Sequence, residues 1–177
     1  MSKDYLPLHV NPFRFAENAT TLHGHMLLKN MQRLLPSLSL DAGDVEVKLE
    51  FGVDSEKFRF VKADIEAPIV LQCQRCLEPF SYTINSHFVS GLVGSEEAAQ
   101  DLPDYYDPLV VADNTLILQD MIEEELIISL PIVPMHDPKD CKTRLPIIIA
   151  DTSQGEDAVK ENPFKVIESL KIKPKQE

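Results

Sequence analysis

The sequence is poor in cysteine and glycine, with three and six of them among 177 residues. A small, odd number of cysteines does not build the disulfide framework of a small secreted protein. The glycines are scattered and form no glycine-rich phosphate loop. No apolar run approaches the roughly 20 residues that span a bilayer, and the start of the chain lacks the basic and apolar regions of a secretory signal. We therefore expect a cytoplasmic protein whose cysteines are thiols or metal thiolates.

The common signatures of catalysis are also missing. Neither G-x-S-x-G nor H-E-x-x-H occurs, and no nucleophile, base and oxyanion site can be assembled from the sequence. Neighbouring residues on a helix point about 100° apart, so the three consecutive glutamates, Glu123 to Glu125, cannot converge on one metal ion and are expected on a solvated helix face. The sequence predicts that the protein is not an enzyme.

Basic residues are absent between Cys76 and Lys139, a stretch that contains 12 acidic residues. Since the whole chain has 29 acidic and 17 basic residues, this stretch accounts for the entire net charge of −12. Nucleic-acid binding relies on Lys and Arg that neutralise phosphates, so this stretch would repel a phosphate backbone. It is either a solvated face that aids solubility or a docking surface for a basic ribosomal protein or RNA-processing factor. The residues expected to contact such a partner are Asp104, Asp107, Glu123, Glu124 and Glu125.

The apolar pattern predicts an α+β domain over residues 1–150. Apolar and polar residues alternate from Asp44 to Val89, in separate runs that include 58–62 and 63–73, as in half-buried strands. This pattern predicts an antiparallel β meander or a partly closed barrel of five to seven strands.

Helices are predicted around this sheet and at both ends of the chain. Asn11-Pro12 favours a short helix near the start, and apolar residues at helical spacing predict a helix over 118–130 that packs on the sheet. Residues 94–108 are acidic and are predicted to form a surface loop with one helical turn. Residues 151–177 are predicted to form a flexible linker and a short C-terminal helix that begins at Asn162.

Four residues are candidate metal ligands. Cys73 and Cys76 have the spacing of a zinc knuckle, which supplies half of a tetrahedral site. No second Cys-x-x-Cys follows, but His136 and Cys141 could complete a Cys₃His structural zinc site. The alternatives are buried or turn-forming cysteines without a metal, and a redox pair, which usually lies at a helix N-terminus; no helix is predicted here.

These features together resemble the YceD family of large ribosomal RNA subunit accumulation proteins. The resemblance rests on blocks that occur in this order along the chain: Cys73-Gln-Arg-Cys76, Glu78-Pro-Phe80, Asp101-Leu-Pro-Asp-Tyr-Tyr-Asp-Pro108, Glu123-Glu-Glu-Leu-Ile-Ile-Ser-Leu-Pro131, Pro134-Met-His-Asp137, Cys141 and Asn162-Pro-Phe-Lys-Val-Ile-Glu-Ser-Leu170. It implies a role in the synthesis, processing or stability of 23S ribosomal RNA and brings no catalytic residues. Many relatives carry a further Cys-x-x-Cys-Gly segment near the C-terminus that looks like half of a zinc site, and this chain lacks it.

Three functions follow as hypotheses from different classes. The first is a non-enzymatic factor that supports 23S ribosomal RNA through a basic protein partner. The second is direct RNA binding through a local basic patch of Lys29, Arg33, Arg75 and the Lys165–Lys175 tail. The third is a zinc- or redox-linked protein that uses the cysteines.

Overall fold

The computed structural model describes residues 4–142. The predicted linker and C-terminal helix of residues 151–177 lie outside this range, and the proposed domain boundary at 150 stays a prediction. The described residues form seven strands and three α-helices, in the following order: β1 (His9–Val10), α1 (Pro12–Glu17), β2 (Thr21–Leu27), β3 (Asp44–Val53), β4 (Arg59–Gln72), β5 (Pro79–Val93), α2 (Glu96–Ala99), β6 (Asp107–Val110), β7 (Leu116–Ile117) and α3 (Leu118–Ile128).

Five of the strands form one open sheet in the order β2-β3-β4-β5-β6. The chain passes from β2 to β5 as an antiparallel meander, and β6 then pairs with β5 in parallel. The remaining two strands, β1 and β7, form a separate antiparallel pair. The predicted α+β class and the meander are confirmed, and the described strands form no closed barrel.

Strand β4 is longer than the alternation suggested, because the two runs predicted at 58–62 and 63–73 form one strand. The alternation keeps its phase across the join, so every second side chain from Val61 to Leu71 is buried. Along β5 only Ile84 and the end of the strand from Ser90 onwards are buried. One face of the β3–β4 pair therefore packs in the core, while the other is exposed or half-buried.

The predicted first helix is confirmed as α1. The side chain of Asn11 accepts a hydrogen bond from the backbone N–H of Arg14 at 3.0 Å, and Pro12 occupies the first helical turn. Both features favour a helix start. The helix packs on β3 through the Phe15 ring, which lies edge-on to Phe51 with centroids 5.5 Å apart.

Helix α3 confirms the helix predicted over 118–130. Its apolar stripe of Leu118, Ile122 and Leu126 is fully buried, as an amphipathic helix on a core requires. None of the described helices has the length and apolar character needed to cross a membrane.

The expectation that Glu123 to Glu125 lie together on a solvated face is wrong for Glu123, which is 3% exposed. Its carboxylate accepts hydrogen bonds from the backbone N–H groups of Arg33 at 2.7 Å and Leu34 at 3.1 Å. The guanidinium of Arg33 also contacts Glu123 at 3.5 Å and Glu124 at 2.5 Å. A buried carboxylate is stable only with such partners, so Glu123 joins α3 to the loop before β3.

Replacement of Glu123 tests this role. We expect Glu123→Ala to lower the free energy of unfolding by about 2–4 kcal/mol, because two backbone N–H groups lose their acceptor. The matched control is the exposed Glu124→Ala, which should cost less than about 1 kcal/mol. Urea titrations of both variants measure the difference, and equal losses would contradict the assignment.

A candidate metal centre and an acidic face

The turn between β4 and β5 carries the first two candidate ligands. The backbone N–H of Cys73 donates to the carbonyl of Glu78 at 2.9 Å, and that of Leu77 donates back to Cys73 at 2.8 Å. Leu77 has a φ of +62°, a left-handed conformation that tightens the turn at a cost for a side chain of this size. This tight reversal directs Cys73 and Cys76 to the same side, as in a zinc knuckle.

The second pair of candidate ligands lies on the segment that follows α3. The carbonyl of Asp137 accepts hydrogen bonds from the N–H groups of Asp140 at 3.0 Å and Cys141 at 3.1 Å, which turns the chain back on itself. The carbonyl of Pro134 accepts a hydrogen bond from the N–H of Gln74 at 2.9 Å. That bond holds the second segment against the knuckle.

All four predicted ligands come together at this junction. One ligand atom each from Cys73, Cys76, His136 and Cys141 lies within 4.8 Å of the other three. Cys76 Sγ is 3.7 Å from His136 Nε2. Cys73 and Cys141 are buried, while Cys76 and His136 are partly exposed. The fold thus brings two pairs of residues, 60 or more positions apart in sequence, into one cluster.

The electrostatic surroundings favour a thiolate at Cys73. Burial raises the pKa of this thiol, but hydrogen bonds from the backbone of Cys76, Arg75 and His136 outweigh it and bring the pKa down to about 6. Burial raises the pKa of Cys76, and the neighbouring Cys141 and Cys73 raise it further. Because the thiolate is the form that binds metals, the lowered pKa of Cys73 favours metal binding at this position.

Arg75 is part of this cluster, although the sequence pointed to it only as a basic residue. Its Nε donates to Cys141 Sγ at 2.9 Å and its Nη2 donates to the His136 carbonyl at 3.2 Å. Its position between the two knuckle cysteines was the available signal.

In the alternative RNA-binding patch, Arg33 is likewise engaged, by Glu123 and Glu124, and the Lys165–Lys175 tail lies outside the described residues.

The donor set fits a metal ion. Three thiols and one imidazole are soft and borderline ligands of the kind that hold structural zinc. His136 Nε2 lies 3.7 Å from Cys76 Sγ, so this ring nitrogen is the one placed beside the thiols. The residues present could therefore hold a metal.

Comparison with known proteins identifies the family. The family model described as "Large ribosomal RNA subunit accumulation protein YceD" matches residues 61–171. The chain belongs to the YceD family. A protein of that name from Haemophilus influenzae is 33% identical over 174 residues, which make up 98% of this chain and 100% of the relative. No solved structure is significantly similar to the chain.

The YceD-family chain also carries an acidic face, which we define as Glu96, Glu97, Asp101, Asp104 and Asp107 with Asp54 and Glu56. The predicted helical turn in the acidic loop is present as α2, and Asp104 and Asp107 are both exposed.

The acidic segment is attached to the β3–β4 turn by two tyrosines. Tyr106 donates to Asp54 at 3.0 Å, and Tyr105 donates to Glu56 at 3.2 Å. These anchors were missed because they join residues about 50 positions apart.

Packing beneath the acidic face supports the same attachment. The Tyr106 ring stacks on Phe60 with centroids 6.3 Å apart. A Cβ on Gly91 would lie 2.8 Å from the side chain of Leu102, which is too close for a real contact. The missing side chain at Gly91 therefore lets the acidic segment approach β5. Lys57, a basic residue in the β3–β4 turn, directly follows Glu56 of this face in the sequence.

The Tyr106 anchor predicts a stability change at alkaline pH. Burial and the hydrogen bond to Asp54 raise the pKa of Tyr106 to about 12, above the value of about 10 in an unfolded chain. A raised pKa stabilises the fold fully below pH 10, and this contribution is lost as the pH rises towards 12. The urea midpoint should therefore fall between pH 8 and pH 11, and this fall should be larger for the wild type than for Tyr106→Phe. The control is Tyr5→Phe, at an exposed tyrosine outside this segment, which should keep the pH dependence of the wild type. An equal pH dependence in wild type and Tyr106→Phe would refute the anchor.

Proposed function

We propose that this chain is a non-enzymatic cytoplasmic factor that supports the synthesis, processing or stability of 23S ribosomal RNA by binding a basic protein partner. Membership of a family described by large ribosomal RNA subunit accumulation supports the RNA part of this proposal. The partner is a cationic ribosomal protein or RNA-processing factor. The cluster around Cys73 has a structural role in this proposal, and no catalytic residue is assigned.

The observation that carries the proposal is the exposed acidic face. Its acids at Glu96, Glu97, Asp101, Asp104 and Asp107 follow one another over 12 residues, all on exposed positions. Complementary charge steers association and selects the partner more than it adds raw affinity. A cationic polypeptide is attracted to such a face, while a phosphate backbone is repelled.

The glutamates of α3 contribute less to this surface than the sequence suggested. Glu123 is buried, Glu124 is paired with Arg33, and Glu125 is half-buried and bonded to the hydroxyls of Ser86 and Ser129. Arg33 offsets part of the charge of Glu123 and Glu124, and the carboxylate of Glu125 is engaged by two hydroxyls. We therefore place the partner at Asp104 and Asp107, with Glu124 at most on the edge.

Charge reversal tests the acidic face directly. We expect the double variant Asp104→Lys/Asp107→Lys to lose about 90% of the basic proteins that the wild type captures from lysate at moderate salt. In a strain that lacks the wild-type gene, the same variant should fail to restore the level of 23S ribosomal RNA. Mass spectrometry of the captured proteins and the ratio of 23S to 16S ribosomal RNA provide the two measurements.

The matched control is Asp41→Lys/Glu66→Lys, which changes the charge equally at two exposed positions away from the acidic face. It should retain both capture and rescue. If both double variants behave like the wild type, the acidic face has no role in binding. If the wild type itself does not restore 23S ribosomal RNA, the RNA function is wrong as well.

A further inference from the structure

We propose that Cys73, Cys76, His136 and Cys141 bind one structural Zn²⁺, and that this ion fixes the segment after α3 to the β4–β5 turn. The proposal stands on the four ligands that the fold brings together and does not depend on the acidic face or its partner. Four protein ligands fill a tetrahedral zinc site and leave no open position for catalysis.

The choice of metal follows from the chemistry of the donors. Thiolates bind zinc strongly, whereas Mg²⁺ and Ca²⁺ require oxygen ligands. Tetrahedral zinc bonds to sulfur and nitrogen place neighbouring ligand atoms about 3.6–3.8 Å apart. The four atoms lie within 4.8 Å of one another, and the pair Cys76 Sγ and His136 Nε2 is at 3.7 Å. A contraction of about 1 Å at the widest pair completes the site.

A disulfide or three unligated cysteines explain the cluster less well. The three cysteines are free, and any disulfide among them would leave one thiol over. A zinc ion uses all four residues at once, since it needs three thiolates and the imidazole together.

The charge balance gives Arg75 a part in the site. Zinc with three thiolates carries a net charge of −1, which is unfavourable in a partly buried position. The Arg75 guanidinium lies 2.9 Å from Cys141 Sγ and offsets this charge. We assign Arg75 as a positioning residue, because it also holds the His136 carbonyl and so orients the second pair of ligands.

The consequence of zinc binding is a long closed loop. Cys76 and His136 are 60 positions apart, and the loop that the ion closes contains all of β5, β6 and α3. Residues 129–142 contain no helix or strand. They are held to the β4–β5 turn by hydrogen bonds to Gln74 and Arg75, by the ion pair of Lys142 with Glu78 and by the contact of His136 with the Phe80 ring. A metal that links distant ligands stabilises the folded chain through its binding free energy.

Metal analysis of the full chain tests the proposal. The protein is purified under reducing conditions with a cleavable tag that contains no histidine, and no metal is added. Elemental analysis should give about one zinc per chain. Cys141→Ser and His136→Ala should lose most of it, whereas the control His23→Ala, at an exposed histidine on β2, should keep it. A wild type that contains no zinc and takes up none on titration would overturn the proposal.

Cobalt substitution keeps the test valid if a ligand variant fails to fold. Co²⁺ in the wild-type protein should give the absorption of a tetrahedral thiolate site, and Zn²⁺ should displace it. When Cys141→Ser is saturated with excess Co²⁺, the sulfur-to-cobalt band should be about one third weaker than in the wild type, because one of three thiolates is lost. Arg75→Ala should keep the band but weaken zinc binding about 10-fold. A wild-type spectrum without thiolate bands would contradict the ligand assignment.

Discussion

The pairing of β4 with β5 holds the cysteine–histidine cluster and the acidic face of this molecule apart. Thirteen residue pairs connect the strands, from Phe60 and Gly91 at one end to Gln72 and Pro79 at the other, a span of roughly 40 Å at strand rise. The turn at one end carries the cysteines, and the acidic face adjoins the other. The hairpin therefore separates the cluster of candidate metal ligands from the exposed acidic face.

The negative charges are distributed differently over the folded surface than along the sequence. The acidic stretch is continuous along the chain, but the fold neutralises part of it, since Arg33 reaches Glu123 and Glu124 across about 90 positions. The acids between Glu96 and Asp107 stay exposed. An excess of negative charge thus becomes a localised face, which is what selective docking of a cationic polypeptide requires.

The features that were predictable from the sequence depend on local patterns. The cap at Asn11, the meander and α3 follow from turn chemistry and periodicity, and the ligand set follows from the few residues able to bind zinc. The parallel β6, the burial of Glu123 and the tyrosine anchors depend on contacts between residues distant in sequence. The residues next to Glu123 in the sequence do not distinguish it from Glu124. The buried carboxylate is the one that accepts hydrogen bonds from the backbone of Arg33 and Leu34.

The central claim is that this protein meets ribosomal RNA metabolism through a cationic polypeptide and not through phosphate. Binding of the purified full chain to naked 23S ribosomal RNA fragments, followed on filters over a range of salt concentrations, tests it most directly. The account predicts no saturable binding at physiological ionic strength. Tight, sequence-selective binding with crosslinks to residues 94–108 would contradict it.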